Sequence, residues 1–144
     1  MDTAADLSRL LGPLRRAVLR STRAAENLPD LPEAHIELLR VLVAWGPLGT
    51  RSVAARLRVS PSTVSNLVRS ATADGLVRRQ ASETDLRAVE LTATDRAREL
   101  LDRYDAASRD AIEQALARLP RKDRDTLAEA LPALERLTTE LSER

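Results

Sequence analysis

Apolar positions along the chain fall into blocks of different period. Leu7, Leu10, Leu11, Leu14 and Val18 recur every three or four residues, the stripe of an amphipathic helix. The spacing predicts a helix from about Ala4 to Asn27, stopped before Pro29. A second helix is predicted to start at Pro32, a residue suited to a first helical position. It carries Ile36, Leu38, Leu39, Val41, Leu42, Val43 and Trp45, so it is apolar nearly all round and belongs at the centre of a domain. The stretch GPLG, Gly46 to Gly49, ends it.

The next blocks are shorter. Thr50 is suited to cap a helix from Arg51 to Leu57 that turns Val53, Ala54 and Leu57 inward. Arg58 and Val59 make a turn, Ser60 is an N-cap, and Pro61 opens a further helix to about Asp74, closed by Gly75. Two short helices joined in this way form a helix-turn-helix. Beyond Gly75 the segments LVRR (Leu76 to Arg79) and RAVELT (Arg87 to Thr92) are short, β-prone and roughly alternating, with the polar loop QASETD between them. They predict a hairpin, the wing of a winged helix. A long helix follows from Thr92 or Thr94 through Leu100, Leu101, Tyr104, Ala111, Ile112 and Leu116, ending near Pro120. The last helix, from about Arg121, carries Leu127, Leu131, Leu134, Leu137 and Leu141, and Pro132 is expected to interrupt and kink it.

The predicted fold class is mainly α with a small β-hairpin wing, and composition supports it. Of 144 residues 43% are hydrophobic but only 1% aromatic, so Leu, Val and Ala do the packing, as suits helices. The chain has no cysteine, which excludes disulfides, thiol redox sensing and Cys-based zinc sites, and His35 alone cannot make a histidine metal cluster. No nucleophile–base pair, carboxylate pair or G-x-G-x-x-G is visible, so neither an enzyme nor a cofactor is expected. Without a membrane-length apolar run or a basic-then-apolar leader, the reading is cytoplasmic, with no membrane partner. Net charge is only +1, but it is unevenly spread. Residues 1–49 hold 6 Arg and 6 acids, residues 50–92 hold 7 Arg and 4 acids, and residues 93–144 hold 10 Arg and Lys against 12 acids. The local excess of three positive charges therefore coincides with the helix-turn-helix and wing, as an electrostatic footprint for nucleic acid would.

Within the second helix of the pair, Val64, Leu67 and Val68 turn to the core while Ser62, Thr63, Ser65, Asn66 and Arg69 share the outer face. Asn can bond adenine bidentately, Arg guanine, and Ser or Thr several base edges. Residues of mediocre helix propensity packed this densely on an exposed face need a reason, and groove contact supplies one. Ser60 is grouped with this DNA-binding set, although capping alone accounts for it. The plain alternative is a solvated turn. A winged helix that binds protein rather than DNA is the other functional reading, and acidic or apolar residues on this face would mark it.

The stretches SVAARLRVSPSTVSNLVRSATADGLVRR, DLR (Asp85 to Arg87) and ELTATDRA together resemble the MarR (multiple antibiotic resistance regulator) family of transcription factors. Asp95 stands before Arg96 where that family commonly has Gly, at a helix start away from the DNA surface. The resemblance implies one domain over residues 1–144, with dimerisation helices at 1–30 and 94–144 flanking a winged helix-turn-helix at 31–93. It implies a bacterial homodimer that binds a pseudo-palindromic double-stranded operator, most simply as a repressor relieved by a small-molecule effector. The leucine stripes argue for the dimer independently, since left wet they would form an unusually large apolar patch. By the same resemblance Arg87 enters the minor groove, with Asp85 orienting its guanidinium. Arg51, Arg56, Arg78 and Arg79 are either phosphate neighbours or ordinary surface. Trp45, His35, Arg15 and Arg16 are candidates to line an effector cleft, but each has a plainer reading: Trp45 as core, His35 as surface or locally bonded, the arginines as a solvated face.

Overall fold

The computed structural model describes residues 1–143. Six helices and one antiparallel hairpin occur among them, in the order α1 (Thr3–Glu26), α2 (Glu33–Trp45), α3 (Thr50–Leu57), α4 (Pro61–Ala73), β1 (Val77–Ala81), β2 (Val89–Ala93), α5 (Asp95–Ala117) and α6 (Arg121–Ser142). The chain divides into two compact units, Met1–Ser108 and a second beginning at Arg109.

The first unit holds the core. Leu38, Leu39 and Leu42 of α2 are fully buried, joined by Val53 of α3, Val64 and Val68 of α4, Leu76, and Leu91 of β2. Complete burial of each such side chain contributes about 1.5–3 kcal/mol relative to exposure, so α2 is the post around which the winged helix is built. Its apolarity does not extend to every face. Trp45 is 59% exposed, which corrects the expectation of a core tryptophan. It stands in the last turn of α2, where the Arg56 guanidinium stacks over the indole with 4.0 Å from Cζ to the ring centroid. His35 is corrected in the opposite sense. It is buried in the first turn of α2, and neither ring nitrogen has a hydrogen-bond partner.

Local signals fix the element ends. Asp2 caps α1 by accepting from the Ala5 N–H at 3.0 Å, and α1 closes at Asn27 in the left-handed region, φ 49°. Gly49, not Thr50, is the N-cap of α3, with Thr50 already the first helical residue. Arg58 makes the α3–α4 turn at φ 56°. Ser60 caps α4 by accepting from the Thr63 N–H at 3.2 Å, and Pro61 stands at the first helical position as expected. At the far end of α4 the Leu76 N–H donates to the Ala71 carbonyl (2.9 Å) and the Gly75 N–H to that of Thr72 (3.0 Å). These two bonds are the Schellman pattern, which requires a left-handed residue, and Gly75 supplies φ 73°. A Cβ at Gly75 would meet nothing closer than an Arg96 guanidinium nitrogen at 3.7 Å, so the constraint is backbone conformation rather than space. Gly75→Ala is therefore expected to lower unfolding free energy by about 1–2 kcal/mol, read by urea denaturation, with the hairpin still formed.

The hairpin pairs Val77 with Ala93, Arg79 with Leu91 and Ala81 with Val89. Both strands sit one or two residues further along the chain than their sequence pattern suggests, because cross-strand pairing sets their ends. Leu48 adds a bridge to Leu91 (N–H to carbonyl 3.0 and 2.7 Å in the two directions), tying the α2–α3 loop to β2. Thr94, one of the two expected helix starts, donates to the Gly75 carbonyl at 2.7 Å and accepts from the Ala97 N–H, so one hydroxyl links the end of α4 to the start of α5.

Ion pairs and polar bonds join α1 and the early part of α5 to the rest of this unit. Arg15 pairs with Glu33, Arg23 pairs with Asp30 and donates to the Leu31 carbonyl, and the Tyr104 hydroxyl donates to the Pro29 carbonyl. Arg40 donates to both carboxylate oxygens of Asp105 (2.7 and 3.4 Å). That hydrogen bonding, ahead of any Coulomb contribution, raises the Arg40 pKa above its ordinary value. Leu10, Leu11 and Leu14 of α1 stay more than half exposed.

The second unit comprises the end of α5 and all of α6. Helix α6 runs unbroken through Pro132, whose ring removes one helical bond toward the Ala128 carbonyl without ending the helix. None of its residues is buried, and Leu127, Leu131, Leu134, Leu137 and Leu141 are all exposed.

Candidate nucleic-acid interface

Helix α4 presents two opposed faces. Val64, Val68 and Ala71 are buried with Leu67 packed against the core, which turns Ser62, Thr63, Ser65, Asn66 and Arg69 outward, all exposed. A helix held by its inner valines cannot roll, so the outer face is presented at a fixed angle. The expected division of this helix into core and outer residues is what the burial pattern gives.

At its N-terminus three hydroxyls form one cluster. Ser60 Oγ lies 3.0 Å from Ser62 Oγ and 2.9 Å from Thr63 Oγ1 while it accepts from the Thr63 amide. Ser60 is thus engaged as a cap. Ser65, Asn66 and Arg69, one turn further on, are not committed in this way, and their polar groups point to solvent. The free N-terminal amides of α4 and its macrodipole give this end a partial positive charge.

The wing turn is ordered by a side chain that sequence reading passed over. Ser82 is 3% exposed, and its Oγ accepts from the amides of Thr84 and Asp85, both at 3.3 Å. Backbone bonds from Ser82 to Ala88 and from Ala88 to Asp85 close the turn (3.0 Å each). A serine at the start of a polar loop followed by Thr and Asp was the available signal, the composition of a hydroxyl-capped turn. Asp85 acts differently from the expectation. Its Oδ1 accepts from the backbone N–H of Arg87 at 3.0 Å, and among the described residues no ion pair joins it to the Arg87 guanidinium. The carboxylate therefore sets the Arg87 main chain and leaves the exposed guanidinium unpaired.

Between α4 and the hairpin lies an open groove of about 470 Å³, walled by Thr50 and Ser65 on the helical side and by Arg79, Gln80, Leu86 and Val89 on the hairpin side. A second cavity, about 490 Å³, sits at the C-terminal end of α4 against Pro29, Leu31, Asp74, Leu76, Arg96 and Leu100. Arg15, Arg16, His35 and Trp45 are not among the walls of either. Among the described residues no group of three or more acidic or histidine side chains could hold a metal ion, and no helix is long and apolar enough to cross a membrane.

Comparison with known proteins agrees with this geometry. The family model described as MarR family matches residues 30–88, the stretch from the α1–α2 loop to the wing turn. No curated protein matches the chain by sequence. Solved structures match over nearly the whole chain. RV1404 from Mycobacterium tuberculosis has 20% identity and a TM-score of 0.81, over 94% of this chain and 91% of that one. The transcriptional regulator Tm0710 from Thermotoga maritima has 21% identity and a TM-score of 0.72, over 97% and 99%. FabT from Streptococcus pneumoniae, solved in complex with DNA, has 16% identity and a TM-score of 0.72, over 97% and 99%.

Proposed function

We propose that this chain, whose residues 30–88 match the MarR family model, is a MarR-type homodimeric regulator of transcription that binds double-stranded DNA sequence-specifically. The observation that carries the proposal is the exposed polar face of α4 (Ser62, Thr63, Ser65, Asn66, Arg69) beside an exposed, unpaired Arg87 on an ordered wing turn. In this reading α4 lies in the major groove with Asn66 and Arg69 against base edges, and Arg87 enters the adjacent minor groove. Ser60, Ser62 and Thr63 meet phosphate at the helix N-terminus, where amides and hydroxyls converge. A structural neighbour of similar fold, FabT, was solved in complex with DNA, which supports the assignment.

The exposed leucines of α1 and α6 make the homodimer the economical state, and a two-fold dimer reads a pseudo-palindrome with half-sites roughly 10 bp apart. We assign the dimerisation role to residues 1–30 and 94–144 and DNA reading to 31–93. Repression by promoter occlusion is the simplest regulatory output, in the cytoplasm. Relief by a small-molecule effector belongs to the same reading, and the cavity at the C-terminal end of α4, walled in part by Asp74 and Leu76, is the site we assign to it.

The test is fluorescence anisotropy with the chain's own upstream intergenic DNA at several salt concentrations. Nanomolar binding that weakens steeply with salt is expected. Asn66→Ala should lose roughly 1–3 kcal/mol of discrimination against the wrong base while the salt slope stays unchanged. Weak binding of equal strength to every duplex, unaltered by the substitution, would remove the sequence-specific reading.

A further inference from the structure

The cavity at the C-terminal end of α4 is built from three stretches of chain, and its walls carry charges of both signs. The α1–α2 loop supplies Pro29 to Leu31, the end of α4 supplies Asp74 and then Leu76, and the first turns of α5 supply Arg96 and Leu100. The loop wall is held by its own bonds. The Leu31 N–H donates to the Pro29 carbonyl at 2.9 Å, the Tyr104 hydroxyl donates to that same carbonyl, and Arg23 donates to the Leu31 carbonyl at 3.0 Å. Leu31, Leu76 and Leu100 belong to the buried core, so the floor of the cavity is apolar.

The charges on the rim are not equivalent. Asp30 is already offset by Arg23, 3.1 Å away. Asp74 and Arg96 form no ion pair among the described residues. They are nonetheless neighbours, since an Arg96 guanidinium nitrogen lies 3.7 Å from where a Cβ would stand on Gly75, the residue after Asp74. Asp74 also closes α4, where the helix macrodipole adds partial negative charge to its carboxylate. One side of the rim therefore attracts an ammonium, and the other offers a forked guanidinium suited to a carboxylate. A purely cationic ligand would face Arg96 unpaired, and a purely anionic one would face Asp74 and the helix end.

We infer that this cavity takes a zwitterionic ligand with an apolar body, of the class of an α-amino acid with a hydrocarbon side chain. The inference rests on the effector assignment above and deepens it by naming the ligand's chemistry. The ammonium meets Asp74, the carboxylate is held by Arg96, and the side chain lies on Leu31, Leu76 and Leu100. The volume, about 490 Å³, falls within the roughly 300–1,000 Å³ of small-molecule sites. A ligand that bridges Asp74 and Arg96 ties α4 to α5 beside the point where the Thr94 hydroxyl already holds the Gly75 carbonyl. Occupancy thus biases the angle at which α4 is presented, and a coupling to DNA affinity of roughly 5- to 150-fold is expected.

The test is isothermal titration calorimetry on the full chain with L-leucine and L-phenylalanine, each beside its decarboxylated amine and its deaminated acid. At least one of the two amino acids is expected to bind, with its amine and its acid about 10- to 100-fold weaker, each having lost a charge-assisted hydrogen bond. Asp74→Asn should cost the amino acid that same factor and leave the deaminated acid unaffected. Arg96→Gln should cost it equally and spare the amine. A merely structural role for either side chain would weaken all three ligands together. Both side chains are exposed, and circular dichroism verifies that the variants fold. Anisotropy with the upstream DNA, with and without the amino acid, reads the coupling. No amino-acid binding tighter than about 1 mM, or equal binding of amino acid, amine and acid, overturns the inferred ligand class while DNA binding stands. The expected binding pattern with DNA affinity unchanged overturns the effector role and leaves the ligand class in place.

Discussion

Replacing Leu131 and Leu134 by Glu is expected to halve the solution mass, from twice 15.8 kDa to 15.8 kDa, and to cut operator affinity by roughly 10²- to 10⁴-fold. The size of the effect follows from what α6 lacks. It has 22 residues and none of them is buried, yet it carries leucines at five positions of helical spacing. A helix draws most of its stability from packing an apolar face, not from propensity. Each leucine covered in a dimer contributes about 1.5–3 kcal/mol, and a two-fold interface counts each substitution twice. Two leucines exchanged for carboxylates thus remove four apolar contacts and set four like charges against one another. The monomer loses the second half-site, and with it the effective concentration that couples the two binding events. Because the winged-helix core (Leu38, Leu39, Leu42, Val53, Val64, Val68) contains no residue of α6, the variant should keep a cooperative unfolding transition. Sedimentation velocity and anisotropy on the same sample measure both effects. A variant that stays dimeric would move the interface away from these leucines.

Much of this molecule is legible in its sequence where the governing interaction is local. Ser60 and Pro61 announce the start of α4, and Gly75 its end, because a cap hydrogen bond and a left-handed residue act within four positions of chain. The inward turn of Val64 and Val68 follows from helical period alone. Legibility fails where the deciding partner is distant. Trp45 looks like core because α2 is apolar all round, but only the packing of α3, α4 and β2 decides which face is covered. His35 looks like surface because polar residues in a first helical turn usually are, yet it is buried. The strand ends depend on register with each other, and the Leu48 bridge to Leu91 joins positions 43 residues apart, so no short window contains it. Asp85 illustrates a subtler case. Its spacing from Arg87 correctly suggests a link, but an Asx-type turn to the backbone competes with an ion pair and wins here, since it closes over two residues and orders no long side chain.

That competition determines what Arg87 can do, and substituting it should produce the second large effect. Arg87→Ala is expected to lower operator affinity by roughly 1–3 kcal/mol, on the order of 10- to 100-fold, and to reduce the salt slope by about one. The guanidinium is exposed and, with Asp85 bonded to the main chain instead, has no ion-pair partner among the described residues. Its full charge is thus available to a narrow minor groove, where negative potential is concentrated. The loss should accordingly be greatest for operators whose wing-facing segment is an A-tract and smallest where that segment is G·C-rich. Asp85→Ala should act in the same direction but more weakly, because Ser82 still holds the turn through two amides. It should leave the salt slope unchanged, since Arg87 remains present. Stability in urea should be unaffected by either change, both side chains being outside the core. Anisotropy against a paired A-tract and G·C-rich set reads the difference directly. Equal losses on both operators would mean that Arg87 meets phosphate rather than the groove, and sequence specificity would then rest on α4 alone.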